Sequence, residues 1–163
     1  MNPIVVGYSP NEKGFDNNIE QAKALSKDDV IVEGTTVGLL MNERKVHINM
    51  TEVIQSQLKG IGLKVEIQVM EYGAYINVIS SQKHQMFIGG SVNATGDGDY
   101  NQYNLFHTAS QESPGNHFFY SNKDIDKFIE EARGGGEIVK RASLNEEAMK
   151  IEPEEANYIS VSN

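Results

Sequence analysis

Apolar residues in this chain recur at two alternating periods, and that alternation limits its fold more than any other feature. In KVEIQVM (64–70), Val65, Ile67 and Val69 point one way and Glu66 and Gln68 the other, the period of two of a half-buried strand. Just before it, Asn49 to Ile61 repeats Val53, Ile54, Leu58 and Ile61 at helical spacing. Asn49 or Thr51 is placed to cap its start, and Gly60 and Gly62 bracket its end. The rest of the chain keeps the grammar. Ile19 to Leu25 reads as a short helix, Thr36 to Met41 as a buried strand, Tyr72 to Ile79 as a helix with Tyr72, Tyr75, Ile76 and Ile79 on one side, and His84 to Ile88 as a third strand. Lys123 to Arg133 is a helix with Ile125, Phe128 and Ile129 inward, stopped by Gly134 to Gly136. A last helix from Ile138 to Ile151 precedes Pro153 and a strand-like YISV. Strands alternating with helices build an α/β sheet with right-handed crossovers.

At 163 residues the chain is read as a single domain, 1–163, with residues 1–18 as a crossover segment. No apolar run approaches the about 20 residues of a bilayer span. The net charge of −9, with 23 acidic residues against 14 basic ones and no basic cluster, argues against nucleic acid as a partner. The absence of cysteine excludes a disulfide framework, a thiolate zinc site and a cysteine nucleophile. The start lacks the pattern of a signal peptide. NPIVVGYSP reads as an interior crossover and ANYISVSN as a strand cut short, so the chain is expected to be an excised domain.

The segment FIGGSVNATGDGDYNQYNLF (87–106) runs from a short strand into a loop dense in Gly, Asp, Asn and Tyr, a composition suited to meeting a ligand. Gly90, Ser91, Val92, Asn93, Ala94, Thr95, Asp97, Asp99, Tyr100 and Tyr103 are its candidate binding residues. Asn42 and Arg44 join them, at the end of the first sheet strand, where ligands approach open α/β sheets. Plainer readings exist for each. Asp97 and Asp99 can cap turns, Tyr100, Tyr103 and Phe106 can form a helical or turn segment packed on the sheet, and Arg44 can be a solvated surface residue. A calcium loop fails on spacing, since Gln102 stands where Gly is wanted and Thr108 where Glu is wanted. His47, His84, His107 and His117 lack metal-ligand spacing. No nucleophile elbow, Walker loop or dinucleotide fingerprint is present, so neither an enzyme nor a cofactor is expected.

The elements in order, TVGLLMN, TEVIQSQLKGIG, LKVEIQVMEYGAY, HQMFIGGSV, ATGDGDYNQYNLFH, SNKDIDKFIEEAR, VKRASLNEEAMKI and ANYISV, resemble the C-terminal lobe of the peptide-binding solute receptors of ABC importers, which include the oligopeptide, dipeptide and nickel binding proteins. The resemblance covers nearly the whole chain, and QLKGIGLKVEIQVMEYGAY and ATGDGDY are its most specific parts. It implies one lobe of a type II periplasmic-binding-protein fold, α/β with a mixed sheet flanked by helices. The function it implies is capture of oligopeptides in a cleft between two lobes, for delivery to the transmembrane permease subunits. The partners would be the peptide, the permease and the N-terminal lobe of the same receptor. Location would be extracytoplasmic, with the leader and any lipid-anchor cysteine outside this segment. One family feature is absent. Where the oligopeptide and dipeptide receptors hold the ligand's ammonium with an Asp preceded by a Trp, this chain has Ala94 and Ser91, which leaves Asp97 or Asp99 as substitutes. It also leaves open a non-peptide ligand, such as a metal chelate, haem or small molecule, and a protein-interaction module without a transport role.

Overall fold

Strand β1 (Thr36–Asn42) has Leu39, Leu40 and Met41 all at 3% exposure or less, so side chains that alternate across the sheet are covered on both faces. This computed structural model describes residues 16–28, 31–111, 115–155 and 158–159. Strand β2 (Lys64–Met70) pairs parallel with β1 along its whole length, from Thr36 opposite Lys64 to Asn42 opposite Met70. Strand β3 (Met86–Phe87) pairs parallel on the other side, giving the order β2-β1-β3. Helix α2 (Lys45–Lys59) links β1 to β2. Met50, Ile54 and Leu58 from it join Leu39, Met41, Val65 and Ile88 in one apolar cluster. Helix α3 (Tyr72–Ile79) links β2 to β3 and closes the other face, where Tyr75 and Ile79 meet Leu40. Helix α1 (Ile19–Asp28) precedes β1 and buries no residue.

The expected α/β class is what the structure has, and the three strands all run parallel. Several details differ from the periodicity. Helix α2 starts at Lys45 instead of Asn49, and Thr51 does not cap it but lies inside it, fully buried. There its hydroxyl donates back to the carbonyls of His47 and Ile48 and lies 3.3 Å from Met41 Sδ. Val53, expected inward, is 57% exposed, and Met50 takes the inward place. Val69 is 53% exposed, at the far end of an edge strand. The third strand is shorter than His84 to Ile88. Gln85 meets β1 through its side chain, whose Oε1 accepts from the Gly38 amide at 2.7 Å and replaces a backbone rung.

Where the sequence is read as one domain, the chain packs into two compact units, one of residues 15–90 and one that includes 91–163. The second is helical among its described residues. Helix α4 (Gly98–Phe106), a 3-10 turn (Thr108–Ser110), α5 (Lys123–Arg133) and α6 (Ile138–Glu154) surround Phe106, Tyr120, Ile125, Ile129 and Ala148. Phe106, expected to pack on the sheet, lies in this helical core, with Phe118 and Tyr158 rings 6.1 and 5.0 Å away. Helix α6 runs three residues past Ile151 and takes in position 153. Asn116 has no exposed surface and ties the 107–120 segment together, giving hydrogen bonds to the His107 and Tyr120 carbonyls and accepting one from the Tyr120 amide. Of the crossover expected at 1–18, residues 1–15 lie outside the described residues, as do the last two residues of the strand-like YISV, while Tyr158 and Ile159 are described and form no strand.

Ile129 is fully buried, so Ile129→Ala should cost about 2–5 kcal/mol in urea unfolding, while Val92→Ala, at a residue 83% exposed, should cost about 0.5 kcal/mol or less. Glu71 caps α3, accepting from the Gly73 and Ala74 amides, and these bonds hold its carboxyl below the ordinary glutamate range. The depressed value means that the cap is fully present above the ordinary glutamate pKa and is lost as pH falls through the folded one. Amide shifts of Gly73 and Ala74 should therefore titrate below that ordinary value, and Glu71→Gln should flatten the curve.

Candidate functional site

Two turns of the sheet unit end at one edge. Helix α2 crosses one face of the sheet and α3 the other, so the winding reverses between β1 and β3, and the carboxyl ends of those strands form the switch point where ligands bind open α/β sheets. Asn42 and Arg44 follow β1 there, and Gly90 follows β3. Asn42 is 6% exposed, and its Oδ1 accepts from the Arg44 amide at 3.3 Å and from His47 Nδ1 at 2.9 Å. An amide oxygen only accepts, so His47 carries its hydrogen on Nδ1. Burial first, and the Arg44 guanidinium second, hold His47 below the usual histidine pKa. Asn42 is thus committed to the turn into α2, while Arg44 is exposed. Gly89 is needed for packing, because a Cβ there would stand 2.9 Å from the Phe87 ring. At Gly90 it would meet nothing within 4 Å.

The loop that follows belongs to the helical unit and is held by its own side chains. Asn93 Nδ2 donates to the Asp97 carbonyl at 2.8 Å, and Asn93 Oδ1 accepts from the Thr95 and Gly96 amides and the Thr95 hydroxyl. Gly96, at φ 72°, takes the left-handed turn that this ring of bonds requires. Ser91, Val92, Ala94 and Thr95 are left exposed on the outside of a fixed backbone.

Asp97 is engaged, whereas Asp99 Oδ1 is buried without a hydrogen-bond partner among the described residues. Asp97 caps α4, its Oδ1 accepting from the Asp99 amide at 3.0 Å, and its Oδ2 accepts from Arg141 Nη2 at 2.7 Å. The same guanidinium donates through Nε to the Ala132 carbonyl at 3.2 Å, so Arg141 joins the loop, α5 and α6. Asp99 Oδ2 is 3.7 Å from Arg133 Nη1. Arg133 lies 3.8 Å over the Tyr103 ring, which also stacks on His107 at 4.7 Å. Thr95, Asp97, Asp99 and Tyr100 line one side of a concavity of about 430 Å³, completed by Tyr103, Asn104, Arg133 and Arg141. The structure therefore brings together Asp97, Asp99, Tyr100 and Tyr103 of the expected set, with Thr95. It adds Arg133, Arg141 and Asn104, which the sequence reading missed. No local signal marks the two arginines, since their carboxylate partners are far away in sequence and no spacing rule reaches that distance. Among the described residues, no group of three or more His, Cys, Asp or Glu side chains could hold a metal ion.

The model of the bacterial extracellular solute-binding proteins, family 5 Middle, matches residues 1–113. The chain belongs to this family. Family 5 proteins are binding proteins, not enzymes, and they work outside the cytoplasm. The chain is 26% identical over 161 residues to the di/tripeptide-binding protein 2 of Pseudomonas aeruginosa (strain UCBPP-PA14), a match that covers 96% of this chain and 30% of the relative. It is 26% identical over 159 residues to the dipeptide-binding protein of Escherichia coli (strain K12), covering 94% and 30%. Its fold matches that of the ABC transporter-associated periplasmic binding protein DppA from Helicobacter pylori in complex with the peptide STSA. That match has a TM-score of 0.89 at 25% identity, over 97% of this chain and 31% of that one. The expected fold, that of the type II periplasmic binding proteins, is borne out. The chain spans about a third of the length of the relatives it matches.

Removing the Arg141 clamp by Arg141→Met should shift the amide resonances of Asn93 to Asp99 and leave Leu39 to Met41 in place. The loss in urea unfolding should be only about 1 kcal/mol, because the pair is partly solvated.

Proposed function

We propose that this chain is a lobe of the substrate-binding component of an ABC importer, capturing oligopeptides in a cleft closed by the N-terminal lobe and presenting them to the membrane permease. The observation that carries the reading is the match, over nearly all of the chain, to a receptor fold that holds a peptide in the H. pylori structure. The names of the two curated relatives point the same way. The loop chemistry suits it. A peptide of any sequence offers amide donors and acceptors, and a backbone braced by Asn93, Gly96 and Asp97 can meet them without loop ordering at the moment of binding. Asn42 and Arg44, and the segment from Gly90 to Tyr103, are the candidate contacts. Closure of two lobes about a hinge would bury the ligand, and the closed form would dock on the permease. The full-length protein would work in the periplasm or be lipid-anchored on the outer face of the membrane.

A lobe alone leaves its ligand half solvated, so the 163-residue chain should bind peptides at roughly millimolar strength. Titrating a mixed pool of four- to eight-residue peptides into the 15N-labelled chain should move amides in 90–103, with or without those of Asn42 and Arg44. A folded spectrum that stays still throughout would turn the reading toward a non-peptide ligand or a protein-docking module.

A further inference from the structure

His107 ends α4 and caps the 3-10 turn, and its two ring nitrogens face opposite demands. Nδ1 accepts from the Ala109 amide at 3.0 Å, so the neutral ring keeps its lone pair there and carries its hydrogen on Nε2. Nε2 stands 3.3 Å from Glu130 Oε1 and 3.9 Å from Asp126 Oδ1, two carboxylates of α5 that attract positive charge. The ring also stacks on Tyr103 of α4 at 4.7 Å, while Arg133 lies 3.8 Å over that same tyrosine. One face cannot hold both at those distances, so Tyr103 is sandwiched between the imidazole and the guanidinium. Asp126, Glu130 and Tyr103 are thus the titratable groups against His107, with Arg133 beyond Tyr103.

We propose that His107 is a pH-responsive latch on the 3-10 turn and, through Tyr103, on the wall of the concavity beside α4. A proton taken from water lands on Nδ1, the ring nitrogen without a hydrogen, and there it points at the Ala109 N–H, donor against donor. The charged ring gives up that amide and turns toward Asp126 and Glu130. Asp126 already holds the turn, accepting from the Thr108 amide at 2.9 Å and the Thr108 hydroxyl at 2.6 Å, so the ring competes with Thr108 for it. On its other side a charged imidazole puts a second cation on Tyr103, and two cations on one ring repel each other. Arg133 is the one with room to leave, since its side chain is 43% exposed against 9% for His107. Arg133 and Tyr103 both line the concavity, so acid loosens its wall. Proteins of this family work outside the cytoplasm, where the surrounding medium sets the pH. The latch adds regulation to the candidate site and does not depend on the ligand being a peptide.

The test is a ligand-free NMR titration of the isotope-labelled 163-residue chain from about pH 8 to about pH 5, the range in which histidines change charge. At the alkaline end the His107 ring should show the Nε2–H tautomer. As it gains its proton, the Ala109 amide, the Tyr103 ring protons and the Arg133 δ-methylene should shift with one shared midpoint, and the cross-peaks between Tyr103 and Arg133 should weaken. Leu39 to Met41 should stay still. Glu130→Gln, at a side chain 69% exposed, should move the shared midpoint to lower pH by removing a charge that steadies the protonated ring. His107→Asn, whose Oδ1 takes the place of Nδ1, should leave Ala109, Tyr103 and Arg133 without a midpoint in this range. If the asparagine variant loses its dispersed spectrum, the response to Glu130→Gln decides. The latch is overturned if His107 titrates while Ala109 and the Tyr103–Arg133 contact stay still, if their shifts persist in His107→Asn or ignore Glu130→Gln, or if His107 keeps one charge state throughout. With no ligand present, each of these outcomes leaves the peptide reading where it stands.

Discussion

Burial of β1 on both faces is the constraint from which the sheet unit follows. Leu39 and Met41 on one side and Leu40 on the other must all leave water, and one helix covers only one face. The chain therefore sends α2 across one side and α3 across the other. Parallel pairing makes such crossovers obligatory, and the change of side places a switch point between β1 and β3. Asn42, Arg44 and Gly90 reach that edge as a consequence of core packing, not of any local preference for binding.

In the helical unit the helices pack around an apolar core, but the loop before α4 is held by polar contacts. The segment from Asn93 to Asp97 has no apolar anchor of its own, and what fixes it is a ring of side-chain bonds closed by Arg141 on Asp97. A chain with 14 basic residues against 23 acidic ones commits two arginines to the only two carboxylates of this loop. That commitment changes what the loop can offer. Asp97, which looks like a ligand for an ammonium group in the sequence, becomes an internal brace, while Asp99 keeps one carboxylate oxygen buried without a hydrogen-bond partner among the described residues.

The sequence reading succeeds where the signal is short-range. Helices α3 and α5 and strand β2 have the bounds their periodicity predicts, because each is a run of apolar residues at one period, and the two helices are closed by Ser, Asn or Gly. It errs where a tertiary partner overrides the local pattern. Thr51 looks like a cap and is a buried helix-interior residue, Val53 fits the apolar stripe and faces solvent, and a Gln85 side chain does the work of a strand residue. The segment from Gly98 to Phe106, read first as a loop because of its Gly, Asp and Asn, is a helix that Asp97 starts and Phe106 anchors in the core.

By itself, then, the sequence determined the α/β class, the order of its elements and the resemblance to the solute receptors, since hydrophobic period and turn residues are properties of neighbours along the chain. Only the tertiary structure decided which charges meet. Arg141 reaches Asp97 across 44 residues, and a pairing over that distance depends on how α4, α5 and α6 pack around Phe106 and Ile129. The identity of the loop residues was legible, but their partners were not, because pairing is a matter of distance in space, and no spacing along a chain encodes it.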